Sequence, residues 1–392
     1  MRILLAAKMM DMGGIERCIV ALARELHRRG HSVWVVSSGG YLVAELQRAG
    51  AEHVAAPMEL ASPIAMRDSA RVIRRIVHDH HVDLVHSFSA TAALAVNLAL
   101  RPLARRGQSS SGNGWHDPRL VSSPMGLQNS PRELPVTTWL RNWFITLGAE
   151  RILVISPEIR RHLKNVGIRD DQLVDFNFVG LDVEAYRGQP DDRSSVRQQF
   201  GFPEDALLVS TIGALHPRKS HELFVDAAAR VAEAVPRARF LVVGGGELRH
   251  ELQRRARDRG LDSRLVLTGV RDDVPRLLAA TDVYVKPGVL EGFIGITVLE
   301  ALSSSRPVVA FDTEDVKLAL ADGVTGLVVP NGDTAALAEK IVFLLKHPEV
   351  GVRLGEAGHK VVTEQFHFGL LARRLEQFYQ ELLATRAPAL AR

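Results

Sequence analysis

With Cys18 as its one cysteine, the chain cannot form an internal disulfide, which points to a reducing compartment. Cys18 lies in an apolar-periodic stretch and reads as a small buried residue rather than a reactive thiol. The longest nearly uncharged apolar run, 90–100, is too short to cross a bilayer, and no secretory leader is recognised in MRILLAA, which reads as a buried first strand. Aromatics are 6% of residues and are not interleaved with basic ones, so the base-stacking surfaces of nucleic-acid binders are not expected. The formal net charge of +4 suits phosphate-bearing ligands or an anionic surface and does not by itself indicate nucleic acid. No D-x-D triplet occurs, so a metal-bridged diphosphate site has no evident ligands and no metal or other cofactor is expected. These features together predict a soluble cytoplasmic protein.

What the chain has in abundance is alternation. Apolar runs that read as strands (RILLAA, SVWVVSS, AEHVAAP, VDLVHSF, RLVSSP, RILVIS and QLVDFNF) alternate with helical patterns in the first half. LLVSTIG, RFLVVGG, RLVLTG, DVYVKPG, PVVAFD and GLVVP do the same in the second. The pattern predicts an α/β protein with two Rossmann-like, doubly wound parallel sheets. The join falls within 179–192, where VGLDVEAYRGQPDD gathers Gly, Pro and charge, giving domains 1–178 and 179–367. A last helix, about 368–392, is expected to cross back to the first domain. The polar insert SSSGNGWHD, 109–117, reads as a mobile surface loop, with its place on one rim of the first sheet leaving an acceptor-binding role open.

Ligands of such sheets bind beyond the carboxyl ends of the strands, and four segments of the second half fall there. In EGFIGITVLEA, Glu291 lies on a loop and Glu300 inside a helix that opens near Gly295. Free N–H groups at Gly295 and Ile296, with the positive end of the helix dipole, suit a diphosphate. The two carboxylates are better acceptors for sugar hydroxyls, and Gly292, Phe293 and Ile294 complete the loop. The turn after LLVSTIG carries Gly213, Arg218 and Lys219, cations able to neutralise a diphosphate. Gly244 ends a strand in a glycine run that permits close backbone approach. Val270 and Arg271 follow another strand, where main-chain groups can read a base edge.

Taken in order and spacing, these segments resemble the nucleotide-sugar-binding half of the GT-B glycosyltransferases, specifically the retaining group called glycosyltransferase family 4. The resemblance covers nearly the whole chain. Gly13 and Gly14 look like the family's Gly-Gly turn after strand one, and DLVHSFSATAAL, ERILVIS and FVGLDVEAY resemble further landmarks. The resemblance implies transfer of a sugar from a UDP- or GDP-sugar to an acceptor hydroxyl with retained configuration. Glu300 would hold the ribose hydroxyls and Glu291 the transferred sugar. Lys219 and the backbone around Gly295 would bind the diphosphate, with Gly13 and Gly14 closing on it from the first domain.

Three positions depart from the family pattern. Ala214 stands where the family has an arginine, which Arg218 is a candidate to replace. The family's histidine would fall near Met125 and Gly126 on the acceptor side, leaving His86 and His116 as candidates for its place, although a satisfied or solvent-facing histidine is the favoured reading of each. Glu300 follows Glu291 by nine positions where the family spaces eight, although Gly295 keeps its interval of five. Acceptors of the group include glycolipids, surface polysaccharides and small natural products, and cell-envelope glycan assembly is the leading expectation. A non-catalytic nucleotide-sugar binder and an epimerase on the same architecture are the alternatives. Arg67, Arg71, Arg74 and Arg75 form a basic stripe along one helical pattern. Its narrow apolar side favours packing on the sheet, with peripheral contact to the inner face of a membrane as the other reading.

Overall fold

The structure is a computed structural model that describes residues 1–11, 14–59, 62–104, 117–123, 148–155, 157–176, 179–289 and 295–385, with the main chain alone at 101–104, 157 and 158. It divides into two compact units, Met1–Gly180 with Phe368–Arg392, and Leu181–His367.

The first unit is built on a parallel sheet of β1 (Arg2–Ala6), β2 (Ser32–Ser37), β3 (Glu52–Ala55), β4 (Leu84–Ser87), β5 (Arg119–Ser122), β6 (Arg151–Val154) and β7 (Leu173–Asp175), in the order β3-β2-β1-β4-β5-β6-β7. Side chains alternate along each strand, so both faces of β1 are apolar and both are covered. Ile3 and Leu5 pack with Ile19, Leu22 and Leu26 of helix Gly14–Arg28. Leu4 and Ala6 pack on the other side with Ile73, Ile76 and Val77 of helix Pro63–Asp79. The last helix, Phe368–Ala384, returns to this unit as the apolar spacing of Leu371, Leu375, Tyr379 and Leu382 requires, burying all four in the Ile3 and Leu5 core.

The second unit carries β8 (Leu207–Ile212), β9 (Ala238–Val243), β10 (Leu265–Gly269), β11 (Val283–Lys286), β12 (Val308–Phe311) and β13 (Leu327–Val329), again parallel, in the order β10-β9-β8-β11-β12-β13. Val209, Phe240, Val285 and Val309 face helices His221–Ala234 and Thr334–Lys346, burying Phe224, Val231, Leu337 and Ile341. Leu208, Leu241 and Val243 face the opposite way, onto Val196, Leu277 and Ala280. The central strands are buried on both faces and so are largely apolar, and the thirteen runs read from sequence, edge strands included, coincide with the described strands. Among the described residues no helix is long and apolar enough to cross a membrane.

Candidate functional site

In the second sheet the chain runs outward from β8 through β9 to β10 and then crosses to β11 on the other side of β8. The order reverses between β8 and β11, and the loops leaving their carboxyl ends diverge there. The predicted donor segments of this unit flank that point.

The turn after β8 is fixed by its neighbours' main chain. Gly213 N–H donates to Val243 O at 2.9 Å, Leu215 N–H to Gly245 O at 2.9 Å, and Gly244 N–H to Gly269 O at 2.9 Å, tying three strand ends together. Gly244 has φ +147°, and a Cβ there would lie 1.9 Å from the Gly213 carbonyl oxygen. Its lack of a side chain therefore serves the seating of one loop on another, a reason different from the ligand approach expected of it. Pro217–Lys219 then forms one 3-10 turn, in which His216 Nδ1 accepts from the Arg218 N–H at 3.3 Å. Ser220, at φ 50°, redirects the chain into helix His221–Ala234. The Lys219 stem runs beside the Gly213 backbone, its Cδ 3.6 Å from where a Cβ on that glycine would stand. His221 is buried against the same stretch. Burial first and the Lys219 charge second lower its pKa to about 4, so the ring is neutral at pH 7.

The glutamate segment is described from Gly295 onward; Glu291, Gly292, Phe293 and Ile294 lie outside the described residues. Gly295 is the N-cap of helix Ile296–Ser303, as its position before an apolar-periodic run predicted. Val298, Leu299 and Leu302 turn into the core and leave Glu300 half-buried at the edge of that face. There Glu300 Oε1 accepts from the Tyr186 hydroxyl at 2.6 Å. Tyr186 was not foreseen as a site residue, although it ends the linker motif VEAY.

A second unforeseen pair stands at the end of β11. Lys286 Nζ lies 2.8 Å from Asp315 Oδ2, with the side chains 4% and 2% exposed. The same ammonium reaches Thr313 Oγ1 at 3.3 Å and Gly288 O at 3.4 Å. Beyond β10, Val270 is 82% exposed, and the Arg271 guanidinium grips Asp273 through two bonds of 2.8 and 2.7 Å. That pairing raises the arginine's pKa and lowers the carboxylate's, so the Arg271 side chain is committed within its own loop.

In the first unit, Gly14 is exposed at the start of helix Gly14–Arg28, while Gly13, His116, Met125 and Gly126 lie outside the described residues. His86, a candidate on the acceptor side, lies in the core of the first unit. It is 0% exposed on β4, with Nδ1 2.5 Å from Tyr379 Oη and Nε2 2.7 Å from Ser123 Oγ, and its ring stacks on Phe88. Burial lowers its pKa to about 3, which makes it a neutral core histidine fastening the returning helix to the sheet. Within the basic stripe, Arg71 pairs with Asp68 at 2.7 Å and Arg74 donates to Ala99 O at 3.0 Å. The apolar side, Ile73, Ile76 and Val77, is buried in the sheet core, so the sheet-packed reading of that helix holds. Cys18 is buried and its thiol is pushed up to about 11, as a structural cysteine should be.

Two family profiles match consecutive parts of the chain: Glycosyltransferase Family 4 over residues 12–174 and Glycosyl transferases group 1 over residues 206–347. Among curated proteins, the GDP-mannose-dependent alpha-(1-6)-phosphatidylinositol monomannoside mannosyltransferase of Mycolicibacterium smegmatis is 28% identical over 393 residues, covering 96% of each chain. The lipopolysaccharide core biosynthesis glycosyltransferase LpsE of Rhizobium meliloti is 29% identical over 235 residues, 60% of this chain and 64% of its own. Among solved structures, Anabaena HepE in complex with UDP superposes with a TM-score of 0.81 at 20% identity, over 97% of this chain and 100% of that one. With both profiles in the expected order on a GT-B fold of two parallel-sheet units, the chain belongs to glycosyltransferase family 4.

Proposed function

We propose that this glycosyltransferase moves a sugar from a UDP- or GDP-sugar to a hydroxyl of a cell-envelope glycolipid or polysaccharide, with retained anomeric configuration and without a metal ion. The observation that carries the reading is the arrangement at the reversal of the second sheet. A lysine-bearing turn, held to the end of β9 by two main-chain bonds, follows β8, and a helix N-terminus followed by a half-buried carboxylate comes after β11. Each part has one task. Lys219, with Arg218 in the same turn, counters the diphosphate charge, and the N–H groups at Gly295 and Ile296 add the helix dipole. Glu300 accepts the ribose hydroxyls, Glu291 those of the transferred sugar, and the main chain at Val270 and Arg271 meets the base.

The chemistry follows from that assignment. A departing nucleoside diphosphate develops negative charge, and preorganised cations and amide dipoles stabilise it with no reorganisation at the moment of reaction. The named activity of the Mycolicibacterium relative, mannosyl transfer from GDP-mannose to a phosphatidylinositol monomannoside, supports a lipid-linked acceptor. The core lipopolysaccharide role named for LpsE points to the same class, and the UDP bound by HepE supports a nucleoside diphosphate donor.

The test is transfer in EDTA from a panel of UDP- and GDP-sugars to glycolipid, oligosaccharide and small-molecule acceptors, with the product's anomeric configuration read by NMR. A glycosylated lipid or glycan of the donor's configuration is expected. An epimerised donor formed without acceptor, or nucleotide-sugar binding with no product across the panel, would overturn the reading.

A further inference from the structure

We infer that Tyr186 is a positioning residue for the donor nucleotide, its hydroxyl fixing the Glu300 carboxylate in the orientation that meets the ribose. The inference rests on the assignment of Glu300 to the ribose hydroxyls. A glutamate side chain has several rotatable bonds and its last torsion is broad, so an unrestrained carboxylate samples many directions. At 2.6 Å, the bond from the Tyr186 hydroxyl to Glu300 Oε1 has the length of a charge-assisted O–H···O⁻ contact.

The tyrosine is itself held. Leu181 N–H donates to Phe366 O at 2.7 Å at the start of its segment, and Val183 is buried three residues before it. The Tyr186 carbonyl accepts from Ser304 Oγ at 3.2 Å, at the C-cap of the helix that carries Glu300. Two residues later the chain passes so close to helix Val274–Ala280 that a Cβ on Gly188 would stand 2.4 Å from Ala279 Cβ. The backbone of Tyr186 is thus anchored to the same helix that its hydroxyl serves. The ordering of Glu300 is complete before a nucleotide arrives, and binding no longer bears that cost.

The prediction separates the hydroxyl from the ring. Tyr186→Phe removes one oxygen and should weaken binding of the ribonucleotide, UDP or GDP, by about three- to tenfold, the cost of immobilising one rotamer-rich side chain on binding. It should leave the 2′,3′-dideoxynucleotide unaffected, because that ligand offers Glu300 no hydroxyl. Calorimetric dissociation constants of both nucleotides for the wild type, Tyr186→Phe and Glu300→Ala provide the test, with melting temperatures confirming folded samples. Equal weakening of both nucleotides by Tyr186→Phe, or an unchanged ribonucleotide affinity, would overturn the inference. A Glu300→Ala protein that still prefers the ribonucleotide as strongly as the wild type, or a wild type that binds neither nucleotide, would instead overturn the ribose assignment beneath it.

Discussion

Replacing Lys286 by methionine tests whether the reversal point of the second sheet is built on a desolvated ion pair. Lys286 and Asp315 have side chains only 4% and 2% exposed, and the 2.8 Å contact is between charged atoms shielded from water. The lysine also reaches Thr313 and Gly288, whereas the second carboxylate oxygen, Asp315 Oδ1, has no hydrogen-bond partner among the described residues. Removing the ammonium strands a buried carboxylate, a change that costs about 3–5 kcal/mol, because the loss is set by the uncompensated charge rather than by the strength of the pair. For a unit of this size that corresponds to a fall of about 6–20 °C in melting temperature. Replacing both partners, Lys286→Met with Asp315→Leu, removes the desolvation cost together with the attraction and should return stability to the wild-type value or above it. Differential scanning calorimetry of the two single variants and the double variant measures the coupling directly. Additive single losses, or a Lys286→Met loss below about 1 kcal/mol, would refute the reasoning, since an exposed pair behaves that way.

Other perturbations probe the remaining joints. Gly244→Ala, which drives a methyl group against the Gly213 carbonyl, should destabilise the second unit by several kcal/mol and displace the Lys219 turn, whereas Gly260→Ala, at φ +69° with open space around it, should cost only about 1 kcal/mol; comparative melting distinguishes the two. Tyr379→Phe removes the hydroxyl facing His86 Nδ1 and should cost the first unit about 1–3 kcal/mol by denaturant titration. The histidines make stability pH-dependent. His86 and His221 titrate at about 3 and about 4 when folded, below the ordinary 6.5, so the unfolded chain binds more protons between those values. Stability is complete above about pH 6.5 and falls as the pH drops, by up to about 1.4 kcal/mol per pH unit for each ring. Melting temperatures constant from pH 7 to 5 would contradict the burial of two neutral histidines.

The strands were legible because parallel strands covered on both faces must be continuously apolar and end in breakers, and LLVSTIG or DVYVKPG carries that signal in a few consecutive residues. The returning helix was legible for a similar reason, since Leu371, Leu375, Tyr379 and Leu382 fall on one stripe that needs a core to cover it. The N-cap at Gly295 followed from glycine standing before an apolar-periodic run. What local pattern does not carry is pairing across the fold. Tyr186 and Glu300 are 114 positions apart, and His86 and Tyr379 are 293 apart. No periodicity connects them, and each residue alone is compatible with a solvent-facing role. Lys286 offered one weak signal, a charge at the end of an otherwise apolar strand, which demands a buried partner somewhere downstream. Gly244 was identified as a close approach, but its neighbour, the Gly213 carbonyl, emerges only when β8 and β9 are laid side by side.

The central claim is a donor nucleotide bound at the reversal of the second sheet by Lys219 and Glu300. Calorimetric titration of UDP and GDP, with EDTA present, into the wild type, Lys219→Ala and Glu300→Ala tests it most directly. The account predicts that one nucleotide binds the wild type, that Lys219→Ala weakens the diphosphate more than the corresponding nucleoside, and that Glu300→Ala weakens both. Binding that survives both substitutions unchanged, or that is absent from a folded wild type, would contradict it.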